Sequence, residues 1–223
     1  MADGADRTGG EATGDRRARK RRQTRRRLLD AARTRLAEVG LDALAVADIT
    51  ARADVGTGTF YNYFTGLDDT VAALIEEEVE ALGRRIDALT ATMADPAEVI
   101  AVSLRHLMST AASDPVWGGF IVRLGIAHPS LVAALGSRAS RDMQRGIDEG
   151  RFDIPNLPMA EEVAFGSVLS AIHAHQRSPL PDRDPTVDLA AYNLRLLGLT
   201  PAEAAEVCAR PLPALPAAPE RAV

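Results

Sequence analysis

The chain holds a single cysteine, Cys208, in 223 residues. It can therefore form neither an internal disulfide nor a multi-cysteine metal site, which suits a reducing compartment. Aromatic residues make up only 4% of the sequence while alanine and leucine are abundant, a mixture that favours helices over sheets and predicts an all-α fold. Long apolar runs are missing too. The longest, Val163 to Ile172, is too short to span a bilayer, and the polar and then basic stretch after Met1 has no signal-peptide core. A cytoplasmic protein with no membrane partner is expected. No nucleophile elbow, phosphate-binding glycine loop or zinc-ligand spacing appears. His173 and His175 stand two apart on a helix, so they point to different faces and make a poor metal pair. Glu76, Glu77 and Glu78 are consecutive around a helix and read as solvated charge. Hence no enzyme, no metal and no cofactor is expected.

What is present is 46% hydrophobic and 26% charged residues, enough for a sizeable core in one or two domains without covalent staples. The charge is uneven. Residues 1–66 hold 13 basic against 9 acidic side chains, and residues 67–223 hold 13 against 22. One dense block, Arg16, Arg17, Arg19, Lys20, Arg21, Arg22, Arg25, Arg26 and Arg27, would attract polyanions and release their counterions on binding. Basic arms also serve membranes and RNA, or form merely solvated tails.

Residues 1–15 are rich in Gly, Asp, Ala and Thr without apolar periodicity, so the segment 1–22 reads as a disordered basic arm. From about Gln23 to Val39, Leu28, Ala32, Leu36 and Val39 recur at helical spacing, and Gly40 supplies a stop. A short helix over about Val46–Ala53 follows, then the break Asp54-Val55-Gly56, then a second short helix over about Thr57–Phe64. Two short helices across a three-residue break are the sequence form of a helix-turn-helix.

The string from Ile49 to Phe64, above all Gly58-Thr59-Phe60-Tyr61-Asn62-Tyr63-Phe64, closely resembles the DNA-binding signature of the TetR family of transcriptional regulators, over roughly residues 23–75. The residues agree with that resemblance. Phe60 and Phe64 lie four apart and can pack against Ile49 and Leu36. Thr57, Gly58, Tyr61 and Asn62 then project elsewhere. Thr57 and Thr59 offer hydroxyls and methyls to bases or phosphates, and Gly58 lets a partner's backbone come close. Tyr61 and Tyr63 could donate to phosphates, or Tyr63 could simply pack. Asn62 could read adenine or cap a turn. Arg25, Arg26, Ala45 and Ala47 complete the expected DNA-binding set.

The departures from the pattern matter as well. Ala45 stands where the family usually opens its second helix with Ser or Thr, Asp54 replaces the turn glycine, Gly56 is a weaker cap, and Leu67 stands where a lysine often reaches phosphate. The arginine block is expected to supply the missing phosphate or minor-groove contacts.

Residues 67–199 read as helices throughout, the first starting at Asp68-Asp69 and running to about Met93, with Pro96, Asp114-Pro115 and Pro129 opening others. The resemblance implies a larger helical ligand-binding and dimerisation domain here. Candidate ligand-lining residues are His106, Met108, Trp117, Phe120, Arg123, Phe165 and His173, bulky or polar groups on otherwise apolar helices. Gly166, Ser167, Ser170, Ala171 and Ala174 form a stripe of small residues, and Leu189, Tyr192 and Leu196 repeat at helical spacing. The resemblance implies that such late helices build a four-helix bundle across a homodimer, which would present two recognition helices to a pseudo-palindromic operator in double-stranded DNA. Residues 200–223 read as a short helix and a proline-rich flexible tail. By that resemblance the expected function is a repressor released from its operator by a small-molecule effector, with an activator or a ligand-independent regulator of the same fold as alternatives. The rival from another class is an all-α ligand carrier, which would leave the Thr57–Phe64 segment without a role.

Overall fold

The computed structural model describes residues 8–125, 128–179 and 182–217. Among them the chain is all-α, with no strand. Helix α1 (Thr8–Val39) starts well before Gln23, so the part of the expected disordered arm that is described, 8–22, is helical. Arginine, lysine, alanine and glutamate are good helix formers, and extending a helix already anchored by packing avoids the cost of a new nucleus. The anchor is the second half of α1, where Leu28, Leu29, Ala31, Ala32 and Leu36 are buried. Residues 1–7 lie outside the described residues.

Gly40 ends α1 with φ +80°, the left-handed stop expected of it. Helices α2 (Val46–Arg52) and α3 (Thr57–Phe60) follow. Between them Asp54 adopts φ 51°, as its replacement of a turn glycine required. Arg27 of α1 donates to the Ala53 carbonyl and, at 3.2 Å, to that of Asp54, fixing the turn against the first helix. Phe60, Phe64, Ile49 and Leu36 close a common core.

Helix α4 (Leu67–Leu74) continues through a π-helical turn (Ile75–Glu80) into α5 (Ala81–Thr90). One long helix thus leads out of the three-helix head. Six helices complete the fold: α6 (Pro96–Ser113), α7 (Pro115–Leu124), α8 (Pro129–Asp148), α9 (Leu157–Arg177), α10 (Pro185–Leu196) and α11 (Pro201–Ala209). Each has a proline in its first turn, where the missing N–H costs nothing. Four of them begin at a side-chain cap from Asp95, Asp114, Asn156 or Asp184, and Thr200 forms a full capping box with Glu203. Helix α6 buries Val99, Ile100, Val102, His106 and Met108, so it lies in the interior. A second core gathers Ile100, Met143, Phe152, Leu194, Leu197 and Val207. Gly146 is needed there, because a Cβ on it would meet the Phe152 ring at 2.0 Å.

The segment after α11 is not a loose tail. Residues 210–217 lie against α5 and α6, held through their carbonyls. Arg105 Nη1 donates to Arg210 O at 2.9 Å, His106 Nε2 to Pro213 O at 3.0 Å, and Arg85 Nε to Pro216 O at 2.9 Å. A proline-rich segment keeps all its acceptors while giving up donors, so cationic and imidazole donors from α5 and α6 suit it. Residues 218–223 lie outside the described residues.

Candidate functional site

Two regions of the molecule carry the chemistry. The first is the exposed side of the head. Thr57, Gly58, Tyr61 and Asn62 are exposed, as are Ala45 and Ala47, while Thr59 and Tyr63 are half-buried. Tyr61 keeps 57% of its surface open despite standing edge-on to Phe60. Nothing inside the protein requires glycine at position 58, since a Cβ there would meet no atom within 4 Å. Ala45 makes no side-chain cap to α2, and neither does Gly56 to α3, so these anchors are indeed absent. Arginines of α1 stand beside the gap: Arg21 lies 5.8 Å over the Tyr63 ring and Arg25 5.4 Å over the Phe64 ring, cation–π contacts that hold each guanidinium next to the recognition unit. Arg26 is exposed, its side chain at 78% and its pair with Asp30 stretched to 3.9 Å.

The second region is a cavity of about 110 Å³ enclosed by α5, α6, α8, α9 and α10. Its walls are mostly aliphatic, from Ile86, Ile100, Leu104, Leu107, Leu135, Met143 and Val168, with Phe165 as the one aromatic. Its polar groups are Asp87, Ser103, Arg138, Asp142, Glu161 and Asn193. A chain of alternating charges runs along one wall. Arg138 donates to Glu80 and to Asp87, each at 2.8 Å, and to the Ala134 carbonyl at 2.7 Å. Arg141 joins Asp87 at 2.9 Å to Asp142 at 2.8 Å. Burial works against ionisation of Asp87, but the Arg141 and Arg138 guanidiniums outweigh it and hold its carboxyl below the ordinary carboxylate range. Gly83 makes room for this network, because a Cβ there would sit 2.7 Å from Arg138 Cζ. On the opposite wall Asn193 donates to Ser167 Oγ at 3.0 Å and to the Leu189 carbonyl at 2.9 Å.

Of the ligand candidates chosen from sequence, only Phe165 lines this cavity. Met108, Trp117 and Phe120 are fully packed in the core shared with α1. His106 holds the C-terminal strap, His173 is exposed on α9, and Arg123 lines a separate cleft with Val39, Gly40 and His128. Sequence reasoning missed Asp87, Arg138, Asp142 and Asn193. The available signal was an arginine and an aspartate four apart, Arg138 and Asp142, on the apolar side of an amphipathic helix.

The small-residue stripe divides as well. Ser170 and Ala174 are exposed, Gly166, Ser167 and Ala171 are half-buried, and Ser167 faces Asn193 inside the protein. Leu189 is buried in the chain's own core, whereas Tyr192 and Leu196 are 65% and 38% exposed beside Met159 and Val163 on α9. Among the described residues no single helix is long and apolar enough to cross a membrane, and no group of three His, Cys, Asp or Glu side chains could hold a metal ion.

Comparison with known proteins agrees with both regions. A family described as bacterial regulatory proteins, tetR family, matches residues 28–74, and one described as tetracyclin repressor-like, C-terminal domain, matches residues 95–210. The crystal structure of RolR in complex with the ligand resorcinol is 44% identical with a TM-score of 0.68, over 89% of this chain and all of that one. RolR without ligand is 42% identical with a TM-score of 0.67, over 85% of this chain and 99% of that one. FadR from Bacillus subtilis in complex with stearoyl-CoA shares the fold, at 20% identity and a TM-score of 0.64 over 77% of this chain and 97% of that one. No curated protein sequence matches. The chain belongs to the TetR family of DNA-binding transcriptional regulators, which are not enzymes.

Proposed function

We propose that this chain is a homodimeric cytoplasmic repressor, released from a pseudo-palindromic operator when a small neutral hydroxylated aromatic enters the cavity between α5 and α10. One observation carries the reading: the single helical run from Leu67 to Thr90 starts at the recognition unit and ends as a wall of the cavity. Occupancy of the cavity and the placing of the head therefore share one continuous helical element. A ligand that fits one placing better than the other shifts the population by that difference in affinity.

The size and charge of the cavity support the ligand class. An apolar cavity of about 150 Å³ holds one benzene ring, so this space suits a single ring rather than an acyl chain. Arg138 is already claimed by Glu80 and Asp87, and Asp87, Asp142 and Glu161 leave the lining rich in acceptors. Such a lining rewards hydroxyl donors and repels a carboxylate. RolR, the similar protein, was crystallised with resorcinol, a ring of this kind.

Tyr192, Leu196, Met159 and Val163 form an exposed apolar face on α9 and α10, with Ser170, Ala174 and Gly166 alongside. A Cβ on Gly166 would meet nothing within 4 Å, leaving room for a partner helix. Burying that face against a second copy would set two heads to read major grooves about 34–36 Å apart. The test is a gel shift with the DNA flanking the protein's own gene, with and without resorcinol or benzoate. A retarded band abolished by resorcinol and untouched by benzoate is expected. Failure to bind any fragment at low salt, or release by benzoate alone, overturns the reading.

A further inference from the structure

The helix leaving the head carries a local defect. Over Ile75–Glu80 it is π-helical, a geometry that is rare, usually a single turn, and frequent at functional sites. Its side chains are acidic, and they reach in two directions. Glu77 pairs with Arg25 of α1, and Glu78 with Arg33 of α1 at 3.5 Å. Glu80 pairs with Arg138 in the cavity wall at 2.8 Å. Arg25 lies against Phe64, one helical turn along α1 from the Arg21 that covers Tyr63. Six residues of backbone thus join the basic face of the head to the cavity. The sequence reading of Glu76–Glu78 as solvated charge holds only for Glu76, which is exposed and pairs locally with Arg84.

A π turn contains one more residue than the α turn it replaces. Rewinding it into α form turns one side of the helix by about 100° and shifts it about 1.5 Å against the other. Glu77 and Glu80 cannot both keep their partners through such a step.

We propose that this π turn couples the cavity to the DNA-binding face, Glu77 competing with DNA phosphate for Arg25 while Glu80 fixes the turn to Arg138. The proposal rests on the reading of the chain as a ligand-responsive DNA-binding regulator. In the free protein the Glu77 carboxylate occupies the guanidinium that would otherwise meet a phosphate, so engagement by Arg25 requires Glu77 to let go. At the other end, an occupant that displaces Arg138 from its place in the wall removes the partner that fixes Glu80, and the turn is free to re-register.

The experiment uses a duplex selected by the wild-type protein from a random pool. Affinity is measured across a salt series for wild type, Glu77→Gln, Glu80→Gln and the double variant, with folding checked by circular dichroism melting. Glu77→Gln should bind about two- to fivefold more tightly, the size of a partly exposed ion pair, and its log–log salt dependence should steepen by about one. Glu80→Gln, on the cavity side, should change DNA affinity in the wild-type background and leave it unchanged in the Glu77→Gln background. Should Glu80→Gln fail to fold, Arg138→Gln cuts the same pair from the other side and carries the same expectation. Unchanged or weaker binding by Glu77→Gln, or a Glu80→Gln effect that persists in full in the double variant, overturns the proposal. A wild-type protein that selects no duplex overturns it together with the functional reading beneath it. Selection by wild type with unresponsive variants overturns the coupling alone.

Discussion

The first half of α1 and the larger domain use arginine in opposite ways. In α1, the arginines from Arg16 to Arg22 and Arg26 are exposed. In the larger domain, Arg138, Arg141, Arg151 and Arg210 are each bound by carboxylates of other elements, Asp95 alone receiving both Arg151 at 3.1 Å and Arg210 at 3.0 Å. An exposed row of one sign is a surface for a polyanion, whereas neutralised pairs are cross-links between helices. The same residue type is thus an exposed cluster in the first half of α1 and a cross-link between helices in the larger domain. The contrast extends to glycine, since Gly58 faces open space and Gly83 and Gly146 are enforced by close neighbours.

The largest expected effect comes from blurring the contrast at the head's own scaffold. Phe60 is fully buried, so Phe60→Ala should cost about 3–5 kcal/mol of stability by loss of packing and creation of a cavity. Thermal melting followed by circular dichroism should show it, and DNA binding should go with it. Retention of both would mean that α3 is not held by this core. Next in size is deletion of residues 1–22, which removes Arg16 to Arg22. It should weaken operator binding by about two orders of magnitude at low salt and flatten the salt slope by about three, as expected for a few phosphate contacts. A salt titration that superimposes on wild type would remove the arm from the interface.

Smaller again are the exposed recognition residues. Thr57→Ala and Tyr61→Ala should each weaken operator binding about tenfold, equivalent to about 1.4 kcal/mol, while melting stays within about 0.5 kcal/mol of wild type because neither side chain supports the fold. Loss of stability in step with affinity would make them packing residues and erase the distinction between the halves.

What was legible in the sequence followed the same division. The head announced itself because its constraints are local: Asp54 at positive φ, Gly40 at the stop of α1, and Phe60 and Phe64 one turn apart are all set by neighbours in the chain. The proline-led helix starts were legible for the same reason. The cavity was not, because its charged wall is built from residues 51 to 58 positions apart, Arg138 with Asp87 and Glu80, and no periodicity reports such pairs. Choosing bulky groups pointed instead to Trp117 and Phe120, which fill the core, while the lining of this cavity is aliphatic and looks like core in sequence. The π turn escaped because over six residues a period of 4.4 and one of 3.6 differ too little in apolar pattern. The strap escaped because a proline-rich segment has the same composition whether it is loose or docked.

That strap offers the finest test of the contrast, since it joins the scaffold through donors that have no role in recognition. His106 is 7% exposed and bridges to the Pro213 carbonyl. Burial pushes its imidazole below the ordinary value, the carbonyl opposes this, and Arg105 and Arg85 add to the downward shift. In the unfolded chain the imidazole takes up its proton near pH 6.5. Between that pH and the lower folded value, the unfolded state binds more protons, so stability is complete above about pH 6.5 and declines as the pH falls through this window. His106→Gln keeps a donor for Pro213 but cannot titrate. Over pH 7.5 to 5 the wild type should lose more stability than this variant, and a chain ended at Arg210 should be less stable at both ends of the range. Parallel pH profiles for wild type and His106→Gln would show that the imidazole exchanges its proton without strain on the strap. The carbonyl contact would then be packing alone.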